Sequence, residues 1–436
     1  MPAVPMPTDP RRSLLARYRQ VRTRTEAVAA PLSAEDQCAQ SMPDASPVKW
    51  HRAHTTWFFE EFVLLAYGAE RYRRIDDRYS YLYNSYYDAV GDRHPRPERG
   101  LQTRPSHDEV TRYRAHVDDA VIDLVDRADR STFATIAPLI ELGLHHEEQH
   151  QELALMDVKH LLSRTDCDPA YRAGRPTPPD RATAPAGWVD VGDGIVDIGH
   201  DPARGFAFDN ESPRHTVLLT PFRIANRLVT CGEWKAFIAD DGYRRPDLWL
   251  SDGWHAAGRE QWQAPLYWKP DGDSFTTLTL DGRRPVLDAD PVVHVSHYEA
   301  DAFARWAGAR LPTEFEWEAA TTDTRVEPLG AEANLLDDDI LASALHPTPA
   351  DVSDPGLRQA YGDVWEWTAS AYLPYPRFTV APGAVGEYNG KFMSGQMVLR
   401  GGAAITPRGH VRPSYRNFFP PAARWVFGGL RLASDS

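Results

Sequence analysis

The sequence changes texture once, near residue 168, and that break limits the fold more than any other feature. Before it, apolar residues recur at three- and four-residue steps. Val110, Tyr113, Val117, Val121, Leu124 and Val125 form one such stripe. Others run through Leu14, Leu15, Tyr18 and Val21, through Trp57, Phe58, Phe62 and Leu65, and from Ile136 to Leu162. Four long amphipathic helices suffice for a bundle. Ser33 with Asp36 and Ser106 with Glu109 have the spacing of side chains that cap the first turn of a helix. The stretch Tyr79 to Pro105 breaks the pattern with Gly91, Pro95, Pro97, Gly100 and Pro105, so a long crossover loop is expected there. Loops of that length inside a domain are usually functional or disordered, and five tyrosines between Tyr79 and Tyr87 argue for order.

Asp168 to Gly187, rich in Pro, Ala and Arg, reads as an interdomain linker. Beyond it the strand-like runs are short, and eleven of the 13 tryptophans lie at or after Trp188. One helix stands out there, from about Tyr298 to Ala307, with Gly308 placed to end it. A single core rarely grows past about 250 to 300 residues. The expectation is therefore two domains, 1–167 and 188–436, joined by a linker at 168–187. A formal net charge of −14 disfavours nucleic acid or an anionic membrane as the main partner. Cys38, Cys167 and Cys231 are too few and too scattered for a disulfide framework, which fits a reducing cytoplasm. Met1 to Gln20 has no apolar segment of signal-peptide length, and the longest apolar run, Phe62 to Tyr67, is too short to span a bilayer. Neither export nor membrane insertion is expected, and the oligomeric state is not legible.

The sharpest local signal is His146-Glu147-Glu148-Gln149-His150. Histidines at i and i+4 of a helix point about 40° apart, close enough to share one metal ion. They lie on the face of Leu139, Leu142 and Leu153, which points inward. The pentapeptide also fits the H-E-x-x-H pattern of zinc peptidases, with Glu147 as general base, but the downstream sequence lacks the familiar third-ligand spacings. A third ligand stands upstream in Trp50-His51-Arg52-Ala53-His54-Thr55-Thr56-Trp57-Phe58, where His54 shares a face with Trp57, Phe58 and Phe62, and His51 remains a rival. Three neutral imidazoles leave coordination positions open for substrate and O2.

In WHRAHTTWFFE, YLYNSYYDAVGDRHPRPERGL and HHEEQHQEL the chain resembles the iron-dependent sulfoxide synthases of ergothioneine biosynthesis, whose N-terminal half is a DinB-like four-helix domain. Its second half resembles their C-terminal domain, which has the fold of formylglycine-generating enzymes and C-type-lectin-like proteins. The stretches concerned are Asp209-Asn210-Glu211 with Pro213 and His215, Arg310 to Glu318, Gly362 to Thr368, Leu399 to Gly402, and Gly428 to Leu432. The implied fold class is multidomain, an α bundle followed by an α+β domain with little regular structure. The implied reaction joins a cysteine thiol to C2 of the imidazole of hercynine (trimethylhistidine) at the expense of O2, with oxidation of the sulfur to a sulfoxide. The implied cofactor is Fe(II) on His54, His146 and His150. The resemblance further implies that Gln149 contacts the hercynine imidazole and that Asn417 and Tyr388 hold its carboxylate. Phe418 and Phe419 stand where an aromatic ring could attract the trimethylammonium group. Arg96 and Arg99 match arginines that bind the carboxylate of the thiol substrate, whereas Arg412, Arg416 and Arg424 receive no role.

Two departures matter. Relatives that use γ-glutamylcysteine carry an acid after the aromatic that follows Asn, and this chain has Phe419 there, which favours free cysteine. The catalytic tyrosine of those relatives falls near Val385; members resembling this chain place adjacent tyrosines in the first-domain loop, here Tyr86 and Tyr87, where a phenol can donate a proton. The site is expected where the lectin-like domain covers the open end of the bundle. Formylglycine generation itself is set aside because no cysteine lies beyond Cys231. The ovothiol synthases, which take histidine in place of hercynine, usually carry a further methyltransferase domain, and this sequence ends at Ser436, so that alternative is the weaker expectation.

Overall fold

A computed structural model describes residues 9–68, 71–172, 174–179, 181–323, 333–351, 356–381 and 383–435. The chain divides into two units, Met1–Leu161 and Leu162–Ser436. In the first, the expected stripes become helices: α1 (Pro10–Ala29), α2 (Val48–Phe59), α5 (His107–Arg127) and α6 (Arg130–Leu162). α2 runs on through a π-helical turn, Glu60–Leu64, into a last turn, α3 (Leu65–Tyr67), and a short α4 (Tyr79–Tyr83) lies in the loop that follows. Leu15, Tyr18 and Val21, Trp57 and Phe58, Val110 to Val125, and Ile136, Ile140 and Leu144 supply the buried face of each long helix. Each such side chain removed from water contributes roughly 1.5–3 kcal/mol. At Gly143 a Cβ would meet the Phe59 ring at 2.5 Å, so α6 reaches α2 this closely only because the side chain is absent.

Ser106 and Glu109 form the expected capping box at the start of α5. Ser33 and Asp36 exchange the same two hydrogen bonds, yet they cap only the 3-10 turn Asp36–Cys38. That corrects the expectation of a helix there: no apolar stripe follows, and Pro43 and Pro47 stop continuation. The crossover loop is ordered by side chains of α2. Lys49 donates to the carbonyls of Gln102 (2.7 Å) and Pro105 (3.0 Å), and the Trp50 indole donates to Leu82 (3.1 Å).

In the second unit, β1 (Trp188–Val191), β4 (Phe222–Ala225) and β12 (Ala433–Asp435) form a sheet with β4 in the centre. β2 (Gly194–Ile198) and β3 (His215–Leu219) form a hairpin, and β5 (Trp268–Asp271), β6 (Ser274–Thr279) and β7 (Gly282–Pro285) an antiparallel sheet. A four-stranded sheet has the order β10 (Asn417–Phe419), β9 (Met397–Arg400), β8 (Trp365–Ala371), β11 (Gly428–Gly429). The helix expected at Tyr298–Ala307 is α9 (His297–Trp306), with Gly308 at φ +67° just beyond it. Three further helices went unanticipated: α7 (Cys231–Ala239), α8 (Ser251–Glu260) and α10 (Glu314–Asp323). They run nine or ten residues, the length of α9, but lack the glycine stop signal that Gly308 supplies just beyond that helix.

Buried ion pairs hold the quoted motifs together. Glu366 on β8 lies opposite Arg400 on β9 in register and binds Arg431 at 2.8 Å with both side chains fully buried. Glu314 and Glu318 of α10 bind Arg416 and Arg400, and Glu211 binds Arg412. Arg424 binds Glu299 at 2.9 Å. The three arginines without an assigned role are thus structural cations.

The segment expected as a linker is anchored to the second unit. Tyr171 and Arg172 are buried, Arg172 pairs with Asp281 at 2.7 Å, and the Ala184 N–H donates to Ala350. Its arginine finds carbonyls and a carboxylate to bind; Ala173 and Asp180 lie outside the described residues. Among the described residues no helix is long and apolar enough to cross a membrane.

Candidate metal centre

His54 projects from α2, and His146 and His150 lie one turn apart on α6. One ring nitrogen from each lies within 4.8 Å of the others, a grouping able to hold a metal ion. The Nε2 atoms of His54 and His146 are 3.1 Å apart. Two imidazoles about 2.1 Å from a common ion at roughly a right angle would have about that separation. Nδ1 of His54 lies 2.6 Å from the Tyr83 carbonyl, which can only accept, so Nδ1 carries the proton and Nε2 the lone pair. Burial first, and then the neighbouring histidines, push the pKa of His54 and of His150 well below the usual imidazole range. Burial pushes His146 down to about 3. The three rings are therefore neutral at physiological pH, as metal ligands must be.

His51 does not join this group. Its Nδ1 faces Nδ1 of His150 at 2.8 Å and its Nε2 faces Asp157 at 3.1 Å. Glu147 points to the other side of α6. It takes hydrogen bonds from Arg22 (2.9 Å), Arg114 (3.0 Å) and the Thr25 hydroxyl (2.6 Å). Burial would raise its pKa, but Arg22 and Arg114 overrule it and hold the carboxyl at about 2. A carboxylate so engaged cannot serve as the base of a zinc peptidase, and that alternative is withdrawn.

Aromatic rings wall the cluster. Trp50 stacks on His54 at 4.5 Å and 11°, Trp57 stacks on the same ring at 5.4 Å and 18°, and Phe58 contacts His146 at 4.7 Å. Tyr87, fully buried, packs on Trp57 (5.5 Å) and Phe58 (6.5 Å), two of the rings that touch the histidines, and Tyr86 stacks on it at 4.7 Å. Asn84 clips this turn by accepting from the Tyr87 N–H and donating to the Tyr87 and Gly91 carbonyls, each at 3.0 Å.

The two expected carboxylate-binding arginines part company. Arg99 is 4% exposed and its guanidinium lies 3.4 Å over the Trp50 ring, bonded to the Ser46 hydroxyl at 2.9 Å. Its Nε has no hydrogen-bond partner among the described residues. Burial first, and Arg96 second, disfavour its charged form. Arg96 is exposed and donates to the Asp44 carbonyl. Gln149, half-buried, sits on α6 beside His150.

The remaining expected residues lie in the second unit. Asn417, Phe418 and Phe419 form β10, and the Asn417 side-chain oxygen accepts from the Phe418 N–H at 2.9 Å, which leaves the amide N–H2 as a donor. Phe418 stacks on Tyr372 at 4.0 Å, and Phe419 meets Trp425 edge-on at 5.8 Å. Tyr388 is buried against Phe208, 5.3 Å away. Asn389 beside it donates to Asp209, and Asn210 donates to the Tyr372 hydroxyl. Sequence reasoning missed Asp157, Asn84 and the Tyr83 carbonyl. Asp157 alone had a signal, since seven residues past His150 is the same helical face.

Residues 17–154 match the DinB superfamily, and residues 172–436 match the sulfatase-modifying factor enzyme 1-like domain. The chain is 36% identical over 414 residues to hercynine oxygenase of Mycolicibacterium thermoresistibile, covering 90% of this chain and 88% of that one. It is 34% identical to hercynine oxygenase of Mycobacterium tuberculosis, covering 91% and 93%. It is 26% identical to ergothioneine biosynthesis protein 1 of Schizosaccharomyces pombe over 241 residues, 53% of this chain and 28% of that one.

Proposed function

Because this chain belongs to the hercynine oxygenase family, we propose that it joins the sulfur of cysteine to C2 of the hercynine imidazole, using Fe(II) and O2, and oxidises that sulfur to a sulfoxide. The observation that carries the reading is the convergence of His54, His146 and His150, neutral and walled by aromatic rings. The reaction balances with O2 as the whole oxidant. The S–H and C2–H bonds break, a C–S bond forms, one oxygen atom goes to sulfur, and the other leaves as water with the two hydrogens. Fe(II) on the three histidines would supply O2 reduction and a seat for the thiol sulfur.

The protein's own groups would do the rest. Arg99 holds the cysteine carboxylate, because its buried guanidinium is short of an anion. Gln149 holds the hercynine imidazole, and the Asn417 amide donates to the hercynine carboxylate with Tyr388 beside it in role. Phe418 and Phe419 meet the trimethylammonium group. A phenol of the stacked Tyr86–Tyr87 pair delivers a proton during O2 reduction.

Phe419, packed on Trp425, supports free cysteine over γ-glutamylcysteine. A glutamyl ammonium there loses hydration without gaining a partner, at a cost of roughly 1–3 kcal/mol. That is about one to two orders of magnitude in discrimination. The test is anaerobic loading with Fe(II), then O2, with hercynine or histidine offered against cysteine or γ-glutamylcysteine and products read by mass. Hercynylcysteine sulfoxide from hercynine and cysteine is the expected product. A preference for histidine would move the reading to ovothiol-type chemistry, and equal kcat/KM for γ-glutamylcysteine would refute the inference from Phe419.

A further inference from the structure

We propose that Asp157 and His51 form a relay that dictates which ring nitrogen His150 offers to the metal. This rests on the metal reading above but concerns residues to which that reading gives no role. With Asp157 as a carboxylate and His51 as a neutral ring, the direction of each bond follows. Asp157 Oδ2 accepts from the Ser46 N–H at 2.7 Å and lies 3.1 Å from Nε2 of His51. An ionised carboxylate can only accept, so Nε2 of His51 carries the proton. In the neutral ring, Nδ1 of His51 then has the lone pair and accepts from Nδ1 of His150, 2.8 Å away. His150 is left with its lone pair on Nε2. Reversing any one bond would place a proton on that atom and close it to a metal.

The four groups come from separate places: Ser46 just before α2, His51 on α2, and His150 and Asp157 two turns apart on α6. His51, Asp157 and Ser46 are all buried, so water does not compete for these bonds. His54 has the equivalent restraint from the Tyr83 carbonyl. The relay gives His150 the same service through a carboxylate, which also raises the basicity of the ring. It explains why His51, at suitable spacing to be a ligand itself, lies outside the three-histidine group: both its nitrogens are used.

The experiment titrates the metal-free full chain with Co(II) alone under argon and reads affinity and the visible ligand-field spectrum. Wild type should bind one ion. His51→Leu should bind roughly 10- to 100-fold more weakly, the range seen when an outer partner of a ligand histidine is removed. His51→Asn, whose side-chain oxygen stands near the former Nδ1, should recover most of that loss and the wild-type spectrum, which a purely packing role would not predict. Wild-type affinity in His51→Leu, or no recovery in His51→Asn, overturns the relay. If His51→Leu does not fold by circular dichroism, Asp157→Asn decides: a loss of roughly tenfold supports the relay and an unchanged affinity overturns it. Wild type failing to bind, or His146→Ala binding equally well, would instead sink the metal reading and the relay with it.

Discussion

Nδ1 of His54 donates to the carbonyl oxygen of Tyr83 across 2.6 Å, which ties a helix of the bundle to the loop that carries Tyr86 and Tyr87. One bond therefore fixes the tautomer of a candidate ligand and helps to hold the turn that carries the tyrosines, alongside the three hydrogen bonds of Asn84. Rearranging the loop would disturb both together.

Iron content separates the three-histidine group from its neighbour. After anaerobic loading and desalting, His54→Ala and His146→Ala should lose most of the metal, while His51→Asn should retain about one iron per chain. Full iron in His54→Ala would return His51 to candidacy.

Arg99 and Arg96 should differ sharply. Arg99→Leu should raise KM for cysteine by at least roughly tenfold, as expected for a lost charge-assisted pair of about 1.5–3 kcal/mol, with little change for hercynine. Arg96→Leu, at an exposed position, should change it by less than about threefold. Equal effects of the two substitutions would remove the distinction drawn from burial.

Acidification should destabilise the metal-free protein. The imidazole pKa values of His54, His146 and His150 are depressed in the folded state, His146 to about 3, so the unfolded chain takes up protons first as pH falls below about 6.5. Stability is then present above that pH and is lost below it, by up to roughly 1.4 kcal/mol per pH unit for each ring. Urea unfolding of chelator-treated protein at pH 7 and pH 5.5 measures this; equal stability at the two would show that the rings are not buried neutral.

Glu366→Gln should unfold the second unit at lower denaturant. The change leaves Arg431 fully buried without its anion, and removing one partner of such a pair costs about 3–5 kcal/mol. A shift below about 1 kcal/mol by urea titration would mean that water reaches Arg431.

Local periodicity determined a good deal by itself. It marked the long helices, put His146 and His150 on one inward face and separated the two halves, because side-chain direction in a helix depends only on spacing. Ordered motifs along the chain carried the family. Tertiary structure alone decided which partners those side chains meet. His51 and His54 are three residues apart and alike in sequence, but α6 delivers Asp157 to one and His146 to the other across 106 and 92 residues. Glu147 has the spacing of a peptidase base and is taken by Arg22, 125 residues away. Arg99 and Arg96 are likewise one turn apart, and only burial over Trp50 distinguishes them. Charge pairing and desolvation depend on distances through space, which residue spacing along the chain does not specify.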